Sequence, residues 1–299
     1  MPSLEGRVIL VTGASSGIGA ATARRLAREG ARVVLTARRQ ERLLALKREI
    51  ESISSDKPEK VGALQALTIA ADVTVEADRE RVLKETLRTF GRIDGLINNA
   101  GYGQRGPIEI VPLENIRQNF ETNFFSLIAL TQKVIPLMRR QQSGRIINVG
   151  SIAGRIARPL TSIYDATKHA VEAITDGLRG ELAPFGIQVV LIEPGYILTD
   201  FARVASKIQP TSEEAGPYAS FLAEYNRRQE KARNIAGHPN DIAELIFQAL
   251  AVDRPRFRYA APRHAHVFLA LKRFLPERLF EYFSLKQMGI EAHKWNKGD

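Results

Sequence analysis

Cysteine is missing from the 299-residue sequence, so disulfides, thiol nucleophiles and cysteine-ligated metals are excluded. Only five histidines are present. His264 and His266 stand on a basic segment without nearby carboxylates, which is typical of solvated surface rather than of a metal site. No apolar run approaches the ~18 residues of a membrane-spanning helix, and the first residues lack the pattern of a signal peptide. We therefore predict no metal centre and expect a cytoplasmic protein, either free or attached to a membrane surface.

The positive charge of the chain is concentrated near its C-terminus. The formal net charge is +10, and residues 254–299 hold ten Lys and Arg against four Asp and Glu. Such a patch serves solubility alone, or it attracts phosphate-bearing ligands, an anionic membrane or nucleic acid. We predict no nucleic-acid partner, because the sequence has no recognised binding module and no aromatic stacking platform among its basic residues.

A glycine-rich loop follows the first predicted strand, at residues 7–12. An alanine-rich helical stretch then extends from the loop to Glu29. Glycines let the backbone approach a pyrophosphate without a Cβ in the way, and free N–H groups at a helix start face the anion. The loop is therefore predicted to bind dinucleotide phosphates through Gly13, Ser15, Ser16, Gly17, Ile18 and Gly19.

The second predicted strand, residues 32–37, indicates which dinucleotide is preferred. It ends in Ala37, at the position where a fold that prefers NAD usually has an acid for the ribose 2′-hydroxyl. Arg38 and Arg39 follow, and a guanidinium suits a 2′-phosphate. The alternative is that both arginines solvate a helix start, although helix N-termini disfavour cations. We predict NADP(H) in preference to NAD(H), with Arg38 as the contact.

Three later strands end in further candidate cofactor contacts. These are Asp72 and Val73 after residues 67–71, Asn99, Ala100 and Gly101 after residues 93–98, and Pro194, Gly195 and Thr199 after residues 187–193. Asp72 suits an adenine amino group or, like Thr74, a helix N-cap. We interpret the asparagines as scaffolding on the cofactor side. Thr199 suits the nicotinamide carboxamide or a cap on the next helix.

Ser151, Tyr164 and Lys168 are candidate catalytic residues. The fifth predicted strand, residues 145–150, delivers Ser151 to the sheet edge where open parallel sheets bind ligands. Tyr164 and Lys168 stand four positions apart on a predicted helix and so share a face. A nearby ammonium favours the phenolate and lowers the phenol pKa from ~10. We predict that Tyr164 is a tuned acid and that Ser151 holds a substrate oxygen.

Asn123 interrupts the apolar stripe of a long helix predicted over residues 112–140, which Pro136 kinks or ends. A polar amide among core residues needs hydrogen-bond partners. Asn123 is therefore either a satisfied structural residue or the holder of a water in a proton relay.

The C-terminal third has a mixed helical pattern. Residues 200–237 leave the carboxyl end of the sixth strand and are predicted to form a substrate lid. The tail is predicted to form two helices with apolar faces, made of Phe268, Leu271, Phe274 and Leu275 in the first and Leu279, Phe280 and Phe283 in the second. Two alternatives stay open: these faces cover the substrate cleft or a subunit interface, or the basic, aromatic tail lies on an anionic membrane.

The motifs fall in the order and at the intervals of one protein family. They are T-G-A-S-S-G-I-G at residues 12–19, N-N-A-G at 98–101, Asn123, Ser151, Y-x-x-x-K at Tyr164 and Lys168, and P-G-Y-I-L-T at 194–199. Together they resemble the short-chain dehydrogenase/reductase family over residues 4–252. The resemblance implies an α/β, Rossmann-type doubly wound fold with a parallel seven-stranded sheet in the order 3-2-1-4-5-6-7.

The resemblance also implies a chemistry, namely reversible hydride transfer between a nicotinamide and a carbonyl or alcohol. It implies Tyr164 as the acid/base, Lys168 on the nicotinamide ribose, Ser151 on the substrate oxygen and Asn123 in support of a water relay. The tail resembles the extension of hydroxysteroid and retinol dehydrogenase-like members, which implies a lipophilic substrate. We expect a dinucleotide-binding domain at 1–252, an extension at 253–299, and a homo-oligomer (dimer or tetramer).

An NADP-binding regulatory protein without turnover is the alternative function. The complete set of Asn123, Ser151, Tyr164 and Lys168 disfavours it, because a silent binder has no use for these groups together.

Overall fold

Seven parallel strands form the centre of the molecule. The computed structural model describes residues 4–55 and 65–288. Within these ranges the sheet order is β3-β2-β1-β4-β5-β6-β7, as predicted. The strands are β1 (Val8–Thr12), β2 (Arg32–Ala37), β3 (Ala66–Ala70), β4 (Gly95–Asn98), β5 (Gly144–Val149), β6 (Ile187–Pro194) and β7 (Arg258–Ala261). The order reverses between β1 and β4, which places a ligand crevice at the carboxyl ends of these strands.

Eleven α-helices accompany these strands in the described residues. They are α1 (Gly17–Arg28), α2 (Gln40–Ser55), α3 (Glu76–Phe90), α4 (Leu113–Phe120), α5 (Ser126–Gln141), α6 (Ser162–Leu182), α7 (Phe201–Lys207), α8 (Ala219–Ala232), α9 (Pro239–Ala251), α10 (Arg263–Phe274) and α11 (Glu277–Met288). None of them combines the length and the apolar character that crossing a bilayer requires.

Alternate residues of β1 point into two separate cores. Ile9 and Val11 pack with residues of α1, α2 and α9, whereas Val8 and Leu10 pack with residues of α3, α5 and α6. Because helices cover both faces, the central strands are continuous apolar runs rather than alternating ones. The sheet is therefore a rigid platform for the loops at its carboxyl edge.

The long predicted helix at residues 112–140 differs from the expectation in two ways. A π-helical turn at Glu121–Phe125 separates α4 from α5 and carries Asn123. Pro136 lies inside α5 and does not end it. Gln132, the residue whose carbonyl loses an N–H partner, is exposed, so water can bind on that side of the helix. Such π turns occur frequently at functional sites.

Helix α2 continues to Ser55, and residues 56–64 lie outside the described residues. Strand β7 lies beyond residue 252, in the predicted extension, yet it pairs with β6 and completes the sheet.

Candidate active site

The glycine-rich loop lies at the carboxyl end of β1 and packs too closely for side chains. Gly13 has a φ of +65°, and a Cβ on it would lie 2.9 Å from the Cα of Ala100. A Cβ on Gly19 would lie 2.5 Å from the carbonyl oxygen of Gly13. Helix α1 begins at Gly17 without a side-chain cap from Ser16, so its first N–H groups are available to an anion. This cradle fits the pyrophosphate of a dinucleotide.

Hydrogen bonds from the N-N-A-G segment hold the loop in place. The Thr12 hydroxyl accepts from the N–H groups of Asn99, at 2.9 Å, and Ala100, at 3.0 Å. The Asn99 amide donates to the Thr12 carbonyl at 2.9 Å, and the Asn98 amide donates to Asn148 Oδ1 at 2.9 Å. These bonds join β1, β4 and β5, which is the scaffolding geometry that the sequence suggested.

Arginines surround the serines of the loop. Arg39 donates to Ser15 Oγ at 2.9 Å and to Ser16 Oγ at 2.7 Å. Arg38, the predicted contact, has a side chain that is 79% exposed and lies 3.8 Å from Asp72. Burial lowers the pKa of Arg39, and the neighbouring charge of Arg42 lowers it further. The cation nearest the loop serines is therefore Arg39, which the sequence reasoning considered but did not assign.

Two further arginines complete this basic cluster, and sequence reasoning missed both. Arg42 of α2 and Arg203 of α7 contact the carboxylate of Asp200 at 3.1 and 3.2 Å. Arg42 and Asp200 thereby link α2 to the segment that follows β6. We call Arg38, Arg39, Arg42 and Arg203 the cofactor arginines. Arg42 could have been predicted as a member of this cluster, because it lies one helical turn after Arg38. Arg203 could not, because it is distant in sequence.

Asp72 closes a local turn. Its Oδ1 accepts from the Thr74 N–H at 3.0 Å and from the Thr74 hydroxyl at 2.7 Å. The residue before α3 is Val75, and no side chain caps that helix. Neither Asp72 nor Thr74 therefore provides the helix cap that was one of the two alternatives, and the adenine role of Asp72 and Val73 stays a prediction.

Ser151 and Tyr164 meet at the carboxyl ends of β5 and β6. Ser151 Oγ donates to the Pro194 carbonyl at 3.3 Å and accepts from the Ala153 N–H at 3.1 Å. The Ser151 side chain is close enough to Tyr164 to lower the pKa of the phenol. The Tyr164 ring packs edge-on against Phe201 with the ring centroids 5.3 Å apart. Ser151 and the half-buried Tyr164 therefore lie together beside the aromatic ring of Phe201.

Lys168 lies on the same face of α6 as Tyr164, as the spacing predicted. Its Nζ is 5.9 Å from the centroid of the Tyr164 ring and donates to the Val149 carbonyl at 2.8 Å. Burial lowers the pKa of Lys168 to about 8. Burial raises the pKa of Tyr164 to about 12, and the neighbouring Ser151 side chain only partly opposes the rise. The phenol pKa therefore moves opposite to the expected direction, because the loss of hydration outweighs the groups that lower it.

All protons of the Asn123 amide are engaged with the protein. Its Nδ2 donates to the Tyr102 carbonyl at 2.9 Å and to Thr167 Oγ1 at 3.1 Å, and its Oδ1 accepts from the Tyr102 N–H at 3.0 Å. The side chain thus clamps the segment after β4 to α6. This geometry is that of a satisfied structural asparagine, and the relay role stays a prediction.

The segment after β6 lies over the glycine-rich loop. Thr199 Cγ2 stands 3.1 Å from the position that a Cβ on Gly17 would take. Thr199 Oγ1 accepts from the Phe201 N–H at 3.3 Å, so the threonine also supports the start of α7. Both predicted uses of Thr199 are compatible with this placement.

His264 is not the solvated surface residue that the sequence suggested. Its Nε2 accepts from the Tyr196 N–H at 2.9 Å, and a Cβ on Gly195 would lie 2.6 Å from that nitrogen. Burial lowers its pKa, although a hydrogen bond to Ile235 opposes the change. The prediction failed because it considered only the local sequence, whereas Tyr196 is distant along the chain. His266 is exposed, as expected.

Comparisons with known proteins agree with this geometry. Residues 7–209 match the family model described as short chain dehydrogenase. The chain is 31% identical over 280 residues to the 3-ketodihydrosphingosine reductase of Bacteroides thetaiotaomicron, covering 93% of this chain and 97% of the relative. It is 30% identical over 296 residues to an NADPH-dependent 3-dehydrocapnine reductase of Ornithobacterium rhinotracheale, covering 96% and 100%.

A solved structure shares the fold. It is a short-chain dehydrogenase/reductase of Burkholderia phymatum in complex with NAD, with a TM-score of 0.77, 25% identity and coverage of 96% of this chain and 97% of that one. The chain therefore belongs to the short-chain dehydrogenase/reductase family. It is an oxidoreductase of a family whose members bind NAD or NADP.

Proposed function

We propose that the protein is an NADP(H)-dependent reductase of a lipophilic carbonyl compound, working reversibly on the corresponding alcohol. The observation that carries the proposal is that Ser151 and Tyr164 are neighbours at the carboxyl ends of β5 and β6, with Lys168 on the same helix face as Tyr164. Two hydroxyls that converge beside a buried ammonium suit a carbonyl oxygen, which needs a donor as negative charge develops on it.

Ser151, Tyr164 and Lys168 have different roles at the carbonyl oxygen of the substrate. Ser151 orients it with a hydrogen bond. Tyr164, whose pKa of about 12 keeps the phenol protonated at neutral pH, donates its proton to the oxygen as that oxygen becomes an alkoxide. Lys168 lies below the ring, where its ammonium stabilises the tyrosinate that remains. The nicotinamide, when bound, supplies the hydride that the carbonyl carbon accepts.

The cofactor arginines support NADP(H) over NAD(H). Asp200 and Asp72 are their only carboxylate contacts among the described residues, so four cations share two anions at the predicted 2′-phosphate position. Guanidinium groups bind phosphate oxygens in pairs of hydrogen bonds. The relative from O. rhinotracheale, whose name states NADPH dependence, is consistent with this preference.

The crevice wall beside Tyr164 supports a lipophilic substrate. Phe201 covers one side of the ring. Residues of the predicted lid bury a small apolar cluster against Leu160, formed with Ala215, Leu222 and Tyr225. Two relatives are named as reductases of a 3-keto and a 3-dehydro compound, the first of them a sphingosine derivative. We propose a ketone on an extended apolar chain as the substrate class.

The tail supports both roles that the sequence left open for it. Phe280 and Leu285 are buried, Met288 packs against the lid cluster, and Arg228 of α8 donates to the Lys286 carbonyl at 3.0 Å. The outer face holds exposed aromatic residues beside cations, namely Phe274, Tyr282, Phe283, Lys272 and Arg273. We propose that the inner face closes the lid and that the outer face contacts an anionic membrane or a second subunit.

NADPH oxidation by the purified protein tests the reductase proposal. The substrate panel contains ketosteroids, retinal, long-chain aldehydes and long-chain 3-ketones. We expect Tyr164→Phe to lower kcat by about 10²–10⁴-fold while NADPH binding is retained, and Tyr282→Phe, at an exposed tyrosine, to leave kcat unchanged. Full turnover in Tyr164→Phe would refute the assigned acid. NADPH binding with no turnover of any carbonyl would favour the regulatory alternative.

A further inference from the structure

Arg105 lies in the segment that runs from β4 into the crevice. Gly103 of this segment packs so closely on Phe201 that a Cβ on it would lie 2.8 Å from the ring, and Phe201 in turn packs on Tyr164. The N–H of Gly106 donates to the Leu160 carbonyl at 2.9 Å. Arg105 is therefore held between the wall of the catalytic tyrosine and the lid cluster.

The Arg105 residue is largely buried, yet its guanidinium is unpaired. The residue is 8% exposed. Over residues 4–55 and 65–288, no carboxylate lies within ion-pair distance of it and its five N–H donors make no hydrogen bond. Within the same ranges it contacts the Tyr225 ring of α8, with the guanidinium carbon 5.5 Å from the ring centroid. Because the stem of this side chain is packed in the protein while the N–H donors stay open, an anion that reaches them gains paired hydrogen bonds.

The neighbouring charges do not neutralise it. Arg158 is a second cation of this region, and it donates to the fully buried carboxylate of Asp165 at 2.8 Å, so that pair is already satisfied. Glu109 accepts from the Tyr218 hydroxyl at 2.7 Å on the exposed side of the lid. The positive charge of Arg105 therefore remains in excess on the substrate side of the crevice.

Two tyrosines on either side of this charge respond to it. Burial raises the pKa of Tyr196 to about 12 and also raises the pKa of Tyr225, and Arg105 lowers the pKa of both. Tyr196 follows Gly195 at the exit of β6, and Tyr225 belongs to the lid, so Arg105 faces both walls of the predicted substrate space. Both tyrosines add hydroxyls that can donate to an anion.

We infer that Arg105 binds an anionic group on the substrate, such as a sulfonate, phosphate monoester or carboxylate, while Tyr164 acts on its carbonyl. The inference rests on the proposed reductase function and narrows its substrate class. A guanidinium binds such groups through paired hydrogen bonds. It also disfavours a substrate with a cationic group at the same place, which gives the site selectivity by charge.

Matched substrates test the inference. The series consists of long-chain ketones that carry a sulfonate at several distances from the carbonyl, each paired with its neutral methyl sulfone of nearly equal size. We expect the wild type to prefer the sulfonate. Arg105→Gln should lower kcat/KM for the sulfonate by about tenfold to a hundredfold, with little change for the sulfone. Arg105→Lys should retain part of the preference.

The control variant is Arg88→Gln, at an exposed arginine of α3, which should change neither value. Arg105→Gln should bind NADPH as the wild type does, and its Tm should change little, because within the described residues the replaced charge has no ion pair or hydrogen bond and loses only the contact with the Tyr225 ring. A marked fall in Tm, or an equal loss with both substrates, would make Arg105 structural and overturn the inference.

Two outcomes separate this inference from the proposed function. Reduction of the sulfones without preference for the sulfonates would leave the reductase intact and refute the role of Arg105. If no carbonyl is reduced, the reductase proposal fails. The anion site at Arg105 can still be tested, because a long-chain alkyl sulfonate that binds there should raise the Tm of the wild type. That rise should be absent in Arg105→Gln, and a rise of equal size would refute the anion site.

Discussion

Two groups of arginines border the crevice, and the protein holds them differently. On the cofactor side, Arg39 donates to loop serines while Arg42 and Arg203 share Asp200. On the substrate side, Arg158 is paired with a buried carboxylate, whereas Arg105 has no carboxylate partner among the described residues. The comparison teaches that position near the site does not define a role. A cation paired with a fully buried carboxylate stabilises the fold, whereas a cation whose donors the fold leaves open is placed for a ligand.

The largest effect should follow from breaking the paired arginine of the substrate side. Arg158→Gln leaves the carboxylate of Asp165, which is 0% exposed, without its cation. Removing one partner of a buried pair costs about 3–5 kcal/mol, and we expect that loss in the free energy of unfolding, measured with urea. Asp165→Asn added to Arg158→Gln should recover part of it. A loss as small as that of Arg105→Gln would remove the distinction between the two arginines.

On the cofactor side, a change in ligand binding should exceed the change in stability. Arg39→Gln removes a cation that lies beside Ser15 and Ser16. Hydrogen bonds to charged groups contribute about 1.5–3 kcal/mol, so the Kd for NADPH should rise by about tenfold to a hundredfold. The Kd for NADH should hardly change, because NADH lacks the 2′-phosphate. Titration of Arg38→Gln with NADPH in parallel shows which of the two arginines contributes more to NADPH affinity. An equal loss of affinity for NADPH and NADH would contradict a 2′-phosphate role.

A smaller effect is expected from the close packing of the cofactor loop. Gly19→Ala places a methyl group 2.5 Å from the Gly13 carbonyl oxygen, so the loop must shift. Such overpacking costs about 1–3 kcal/mol, and NADPH affinity should fall with stability. The control is Gly180→Ala in α6, where a Cβ meets nothing within 4 Å. That variant should gain about 0.5–1 kcal/mol, and thermal unfolding of both proteins checks the contrast.

The pH dependence of stability should reveal a pair of buried carboxyl groups below the Ser151 turn. Burial and the neighbouring Glu193 raise the pKa of Glu172 from 4.5 to about 8, against the opposing charges of Arg258 and Arg155. The folded state therefore holds a proton that the unfolded state releases.

The contribution of this proton is fully present below pH 4.5, declines as the pH rises, and is lost above about 8. The slope is at most about 1.4 kcal/mol per pH unit. Urea unfolding of Glu172→Gln should show a flatter profile over this window than the wild type, and identical slopes would contradict the proton assigned to Glu172.

The smallest effect concerns the outer face of the tail. Phe274 and Phe283 are 77% and 49% exposed. If they enter an anionic bilayer, replacing both with serine should reduce co-sedimentation with phosphatidylserine vesicles by a few-fold. Ile108→Ser, at an apolar residue that is 67% exposed elsewhere, is the control. Unchanged sedimentation together with loss of a dimer in light scattering would assign the face to a subunit contact.

The sequence predicted the features that depend on local pattern. Apolar runs followed by glycine or asparagine located the strands and their loops, and the resemblance supplied the sheet order. The spacing of Tyr164 and Lys168 placed both on one face of α6, as the structure has them. These features are accessible because periodicity and turn chemistry act over a few residues.

Features that depend on contacts between distant segments were not accessible. The pKa of Tyr164 depends on burial that the packing of the crevice determines, so its direction was mispredicted. The partner of His264 lies 68 positions away. The sequence pattern did not single out Arg105, although its position after a strand end and before a glycine weakly indicated a residue at the crevice. Its importance follows from the absence of a nearby carboxylate in the part of the chain that the structure describes, which only the folded chain reveals.

The contact between His264 and Tyr196 bears on how relatives can be recombined. Pro194 accepts the Ser151 hydroxyl, and two residues later Tyr196 donates its N–H to a histidine of α10. The start of α10 is thus joined to the segment after β6 by a side chain, in addition to the pairing of β7 with β6. In a chimera, a crossover at residue 252 separates these partners, whereas one placed inside α10 after His264 keeps them together and exchanges the rest of α10 and α11.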